Sequence, residues 1–401
     1  MSAPRGPAAA ARTLLLTRSE VARVLTLRDC IAAVEEGFRL EGEGAIQPPS
    51  ILGVHGPHGG LHVKAGFLGL ERPCIVAKAN ANFPQNASRH GLPTIQGVVI
   101  VIDGDCGYPL AVMDSIEITI QRTGAATAVA AKYLARRASR TVAIIGCGVQ
   151  GRVQLRSLRE VLALERVAVH DIDRDACDRF VVWARDDLGL DARAASSTAE
   201  AVRDADVVVT CTSSTRVVLE DTDVGPGTFV AAVGADNEHK WEIDPRLFPR
   251  SKVVVDNLDQ CATIGDLHHA VAQGTMTREA VHADLGAVVA ARRPGRERDA
   301  GHTGCVSGAH LRIATARWPS SEGNAPRSPE QRPALAHDKV PRLAVPRGPG
   351  AGFTFLPSLR TTSYGTSRGC VAAPSRRLQA RHGHAEPLQR LDEIGFRRGV
   401  R

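Results

Sequence analysis

The sequence predicts an α/β protein in which a doubly wound parallel sheet follows a smaller α+β domain. Three observations carry that expectation. From Thr141 onward, apolar strands and amphipathic helices alternate strictly. At the first strand–helix turn of that run stands Gly146-Cys147-Gly148-Val149-Gln150-Gly151. Upstream, between Leu61 and Val101, short apolar runs bounded by Gly, Pro and Asn follow one another without a helical period between them.

The elements follow in chain order. Residues 13–44 carry a helical period, with Val21, Val24 and Leu25 on one face and Ile31, Val34 and Phe38 on another. Thr17 and Glu20 have the spacing of a capping box, and Gly42 and Gly44 suit a helix exit. GVHGPHGGLH is expected as a Gly-rich loop. LHVKAGF, CIVAKAN, TIQGVVIVID and YPLAVMD are expected as strands, with a turn at Gly104–Gly107 and a long helix from near Ser115. TVAIIG, RVAVHDI, DVVVTCT, TFVAAVG and KVVVDN then read as strands of one sheet, separated by helices such as VQGRVQLRSLREVLAL and DACDRFVVWARDD. The expected division is a first domain over residues 1–120, a nucleotide-binding domain over 121–298 and a tail over 299–401.

The tail is distinct in composition. The chain has a formal charge of +7, and its distribution is uneven. Residues 300–401 hold 16 basic groups against six acidic ones, whereas the preceding 299 residues hold 34 against 37. The tail also contains ten Pro and 12 Gly, and it is expected to be irregular because Pro fixes φ and removes backbone donors. Its arginines lack interleaved aromatics, so a nucleic-acid partner is not expected. No run approaches the roughly 18 apolar residues of a membrane span. Nine cysteines without a CxxC pair read as reduced thiols in a cytoplasmic protein. His55, His58 and His62, and the adjacent His268 and His269, lack a metal-ligand spacing, so no metal site is expected.

Three groups of residues carry chemistry. In the glycine fingerprint, Gly146 suits a tight turn, Gly148 close backbone approach to a pyrophosphate, and Gly151 close helix–strand packing. The amides of Val149 and Gln150 then open a helix toward the phosphates. Asp171, 20 residues beyond Gly151, is placed to accept hydrogen bonds from ribose hydroxyls and to favour NAD over NADP. Lys78, Arg122 and Thr94 supply two cations and a hydroxyl of the kind a substrate carboxylate requires, the rival reading being structurally paired cations. Asp236, just past a strand of the nucleotide-binding region, suits a proton shuttle or a turn.

Taken together and in this order, the blocks GLPTIQG, PLAVMDSIEITIQRTGAATA, GCGVQG, ADVVVTCT, PGTFVAAVGAD, WEIDPRLF and IGDLHHAV resemble the ornithine cyclodeaminase/μ-crystallin family, from about Leu14 to Arg298. The resemblance implies a substrate-binding and dimerisation domain joined to a Rossmann domain, a homodimer, and NAD as cofactor. It implies that Asp236 and Lys78 are catalytic, and that Lys78, Arg122 and Thr94 hold the substrate, with Arg122 also meeting the cofactor. The substrate would be a small amino acid or a cyclic imine. The implied reaction is hydride exchange at Cα, with conversion of ornithine to proline plus ammonia as the namesake. The alternatives are an amino-acid dehydrogenase, a cyclic imine (ketimine) reductase, or a non-catalytic nucleotide-binding protein of the μ-crystallin kind or a product inactive because of its altered C-terminus.

Two departures bear on this. Where the family commonly has an arginine after a proline, the sequence reads Gln47-Pro48-Pro49-Ser50; Lys64, at a position where many relatives carry a neutral residue, is expected to supply that charge. His62 falls near the place where a cyclodeaminase would have a carboxylate for the distal ammonium. Beyond Arg298 the family's D-E-I-T-x-F-x-S-x-G-like segment is absent, which suggests either a reading-frame change or a genuine basic extension.

Overall fold

The computed structural model describes residues 12–46, 49–70 and 72–296 and the backbone of 305–307. The first layer opens with strand β1 (Leu14–Leu16), then helices α1 (Arg18–Val24) and α2 (Leu27–Glu43). The single helical unit expected over residues 13–44 is thus three elements. Leu25 and Thr26 leave the helical region, and Thr26 accepts the Asp29 N–H at 3.1 Å to start α2 afresh. The expected cap at Thr17 is present, its N–H donating to Glu20 at 2.8 Å. Gly44 ends α2 with φ 76°, as a left-handed terminator. Gly42 has another function: a Cβ there would meet the Gly286 carbonyl oxygen at 1.9 Å, so it permits a helix crossing.

Five strands follow: β2 (Ser50–Gly56), β3 (Gly59–Leu68), β4 (Cys74–Asn82), β5 (Ile95–Asp103) and β6 (Pro109–Asp114), with the short helix α3 (Asn86–His90) between β4 and β5. β2 corrects the sequence expectation of a loop. Its glycines and histidines hide the strand period, but it pairs antiparallel with β3 from Ser50↔Ala65 to Gly56↔Gly59. The sheet order is β1-β6-β5-β4-β3-β2, antiparallel except where β1 runs parallel to β6.

Register separates the two faces of this sheet. Ile51, Lys64, Lys78, Val99 and Met113 lie across one face, with His62 and Asn80 beside them. The other carries Leu52, Val54, Leu61, Val63, Phe67, Ile75, Val98 and Ile100, together with Ser50, Gln96 and Asp114. Leu52, Phe67 and Val98 on that second face are 60%, 54% and 40% exposed.

Helix α4 (Ile116–Leu134) runs through residue 120, and its small residues from Thr123 to Ala131 are buried. Beyond it the expected alternation appears: β7 (Thr141–Ile145), α5 (Val149–Arg159), β8 (Arg166–His170), α6 (Arg174–Asp186), β9 (Asp191–Ala194), α7 (Thr198–Val202), β10 (Val207–Thr210), β11 (Thr215–Leu219), β12 (Phe229–Ala232), β13 (Trp241–Ile243) and β14 (Val253–Val255). The remaining elements are α8 (Leu258–Cys261), α9 (Asp266–Ala272), β15 (Ala283–Asp284), α10 (Leu285–Val289) and β16 (Cys305–Ser307).

The second sheet has the order β15-β14-β16-β12-β10-β7-β8-β9, and its strands pair in parallel. Its central strands are buried end to end, which explains their unbroken apolar runs. Strand order reverses between β7 and β10, so the crevice for a ligand lies outside their carboxyl ends. Within the stretch expected to be irregular, Cys305–Ser307 fill the slot between β12 and β14, pairing Val306 with Ala231 and Val254. A backbone slot of this kind demands extended chain, with no particular apolar pattern. The rest of the tail lies outside the described residues.

Candidate active site

A cavity of about 910 Å³ opens at the carboxyl ends of β7, β8, β10 and β12. The glycine turn forms one wall. Gly146 adopts φ 109°, a left-handed conformation, and a Cβ there would meet the Cys211 carbonyl oxygen at 2.8 Å. Gly148 faces open space at the start of α5, and Gly148, Val149 and Gln150 all line the cavity. Gly151 is withdrawn from it; a Cβ would meet the Gly146 carbonyl oxygen at 2.2 Å, so this glycine sets the approach of α5 to β7. The free amides at the start of α5 therefore point at unfilled space, as an anionic diphosphate requires.

Asp171 lines the same cavity at the end of β8. Its carboxylate accepts the Cys147 N–H at 2.7 Å and the Asp173 N–H at 3.0 Å, which fixes it against the glycine turn. Asp236 and Thr94 line the opposite part, Thr94 exposed just before β5. Asp236 is paired with Lys240 at 2.7 Å, each side chain about one quarter exposed. Lys240 was not singled out from the sequence, although its i,i+4 spacing from Asp236 is the signal that could have found it.

Lys64, Lys78 and Arg122 are not on the cavity lining; they stand behind it, where the first sheet meets α4. Lys64 and Lys78 are direct cross-strand partners on the sheet's polar face. Asn80, on that face beside Lys78, accepts from Ser115 Oγ at 2.7 Å and donates to Thr119 Oγ1 at 3.4 Å, and Thr119 lines the cavity. Burial, with the charges of Arg122 and Lys64, pulls the Lys78 ammonium down to about 7. Burial also pulls Arg122 down to about 10, against the opposing charge of Asp256 at the end of β14. One guanidinium nitrogen of Arg122, Nη2, is out of solvent and has no hydrogen-bond partner among the described residues. Arg122 Nη2 thus keeps a free donor beside Lys78, and such a donor suits a carboxylate.

His62 shares the polar face with Lys64 and Lys78, its ring 5.0 Å from that of His55. Gln47 and Pro48 of the Gln47–Ser50 stretch lie outside the described residues. No group of three or more His, Cys, Asp or Glu side chains suited to a metal ion occurs among the described residues, and none of their helices is long and apolar enough to cross a membrane.

A further acidic group escaped the sequence reading. Glu242, on β13, is fully buried and accepts from Thr210 Oγ1 at 2.9 Å, from Thr212 N and Oγ1 at 2.6 and 2.7 Å, and from Gly234 N at 2.7 Å. Its partners come from the ends of two other strands, so no local spacing announces it.

Comparison with known proteins agrees with this geometry. The profile of the ornithine cyclodeaminase/mu-crystallin family matches residues 11–303. The alanine dehydrogenase of Archaeoglobus fulgidus is 37% identical over 291 residues, covering 72% of this chain and 87% of that protein. Among solved structures, an archaeal alanine dehydrogenase dimer with bound NAD superposes with a TM-score of 0.69 at 36% identity, covering 74% of this chain and 89% of that one. The Δ1-pyrroline-2-carboxylate reductase of Thermococcus litoralis, in complex with NADH and L-proline, gives a TM-score of 0.70 at 29% identity over 75% of this chain and 93% of that one.

Proposed function

This chain belongs to the ornithine cyclodeaminase/mu-crystallin family, and from that premise we propose that it interconverts a small α-amino acid and the corresponding imine with NAD(H). The carrying observation is the juxtaposition of an open dinucleotide cleft with a cationic corner behind it: Arg122 Nη2 is buried without a hydrogen-bond partner among the described residues, and burial, with the charges of Arg122 and Lys64, holds Lys78 down to about 7. In this reading the α5 amides and Gly148 hold the pyrophosphate, and Asp171 receives the ribose hydroxyls. Bound NAD supplies the chemistry of the step, taking hydride from or returning it to the substrate Cα.

The chain's own residues do the rest. Lys78, Arg122 and Lys64 hold the substrate carboxylate and so fix which face of Cα is presented. Asp236 lies on the cavity wall, held by Lys240 at 2.7 Å, and takes or gives the proton at the substrate nitrogen. Thr94 closes the side of the cleft nearest the first sheet. We place the apolar face of the first sheet against the same face of a second copy, since Leu52, Val54, Phe67 and Val98 leave a contiguous patch that a soluble monomer does not leave bare. The archaeal relative's structure is itself a dimer.

Dehydrogenation or imine reduction fits this site better than cyclodeamination. Holding a distal ammonium calls for a carboxylate beside Lys64 and Lys78, and the neighbouring position on that face is His62. The test is a substrate panel with purified protein: alanine or proline with NAD, pyruvate plus ammonium with NADH, pyrroline-2-carboxylate with NADH, and ornithine with NAD. The expected result is net change in NADH absorbance with an amino acid or imine. Proline and ammonia from ornithine without net NADH would replace this reading by cyclodeamination. NADH binding without turnover of any member would reduce the protein to a nucleotide binder.

A further inference from the structure

We infer that Glu242 is a positioning residue that sets the nicotinamide end of the cleft. The inference rests on the reading above, in which NAD exchanges hydride with the Cα of a substrate whose nitrogen Asp236 serves, so that the nicotinamide lies beside Asp236. Three residues of that end, Thr212, Gly234 and Asp236, line the cavity, and they come from two separate strand ends, β10 and β12. Between them the ladder continues with the Val233 N–H donating to the Thr210 carbonyl at 2.8 Å, and among the described residues no side chain of either strand bonds the other loop directly. Glu242 does so from outside them: Oε1 accepts the Thr212 N–H and Oγ–H, and Oε2 accepts the Gly234 N–H and the Thr210 Oγ–H. β13 is in turn held by Asp266 at the start of α9, whose Oδ1 accepts the Glu242 N–H at 2.6 Å and the Ile243 N–H at 2.9 Å.

The choice of a carboxylate has a physical reason. A fully buried acid is costly to desolvate, and burial pushes this carboxyl upward while its four donors pull it back. Stability alone would be served as well by apolar packing. The requirement is symmetric acceptance: each carboxylate oxygen receives one backbone N–H, one from each loop. Glutamine cannot meet it, because whichever end carries the amide NH₂ confronts a backbone N–H. One loop is then released, by tenths of an ångström or more, next to Asp236. Gly234 lets the two loops approach this closely, since a Cβ there would meet the Thr212 carbonyl oxygen at 2.3 Å. The adenosine end, framed by Asp171 and the glycine turn, has no bond to Glu242.

The test compares NADH with ADP-ribose, which lacks the nicotinamide, on the full chain. NADH is titrated by its fluorescence, and ADP-ribose by displacement. For Glu242→Gln, NADH affinity is expected to fall by about tenfold or more, the effect of one lost charge-assisted bond, while ADP-ribose affinity changes by less than about twofold. Equal weakening of both ligands, or no change in either, would overturn the inference. If Glu242→Gln does not fold, Thr210→Val, which removes one side-chain donor and leaves both backbone bonds, should weaken NADH a few-fold and spare ADP-ribose; no change there would overturn it equally. Failure of the unaltered protein to bind either ligand would instead defeat the cofactor reading on which the inference depends.

Discussion

In the proposed function Lys78 holds the substrate carboxylate, and this makes the site answer to pH. An ammonium loses its charge above its titration point, so a lysine brought down to about 7 by burial and by the charges of Arg122 and Lys64 should hold that carboxylate below that pH and release it above. The apparent KM for an amino-acid substrate is therefore expected to climb as pH rises through 7, approaching about tenfold per unit. Lys64→Met removes one of the repelling charges, so the inflection should move upward; an unchanged or lower inflection would mean that Lys64 does not act on Lys78. Stability runs the other way. The unfolded lysine titrates near 10.5, so the unfolded chain binds more protons between about 7 and 10.5, and the ligand-free protein gains stability across that window. At this scale the sequence was readable where chemistry is local. The three glycines and Asp171 are spaced by one strand and one helix, and all of them sit at the cleft or its hinge. Glu242 and Asp256 were illegible because their partners are delivered by other strands.

Helix α2 offers the sharpest test of how elements are packed, because two of its glycines have opposite surroundings. A Cβ at Gly42 would fall 1.9 Å from the Gly286 carbonyl oxygen and 2.9 Å from Ala290 Cβ, whereas one at Gly37 meets nothing within 4 Å. Gly42→Ala is expected to destabilise by about 1–3 kcal/mol, through forced separation of α2 and α10. Gly37→Ala should stabilise by about 0.5–1 kcal/mol, through helix propensity alone. Equilibrium urea unfolding reads both; equal effects would mean that the α2–α10 crossing is looser than described. The strands of the parallel sheet were legible because a strand buried on both faces needs an unbroken apolar run, as in TVAII or VVVT. β2 and β16 were not. SILGVHG interleaves glycine and histidine with its apolar residues, and CVS is a strand only because β12 and β14 leave a gap of one strand's width.

For the molecule as a whole, excess charge and exposed apolar surface belong to different parts of the chain. The excess positive charge belongs to residues 300–401, while the described body is close to neutral. Among the described residues, Leu52, Val54, Leu61, Phe67, Ile75 and Val98 leave apolar surface on one face of the first sheet, opposite the face that carries Lys64 and Lys78. Placing charge there should separate two copies: Val98→Lys with Phe67→Glu is expected to convert a dimer into a monomer at micromolar concentration in sedimentation velocity, with the dinucleotide cleft still able to bind NADH. A dimer that survives both substitutions would require another interface. The central claim is hydride exchange between NAD and a substrate Cα held by Lys78 and Arg122 beside Asp236. Its most direct test is isotope transfer: NADH deuterated at C4 is incubated with an imine substrate, pyruvate plus ammonium or pyrroline-2-carboxylate, and the amino-acid product is examined by mass spectrometry. One deuterium at Cα is expected, with transfer slowed by about 10²–10⁴-fold in Asp236→Asn. NADH bound but never consumed, or product free of deuterium at Cα, would contradict it.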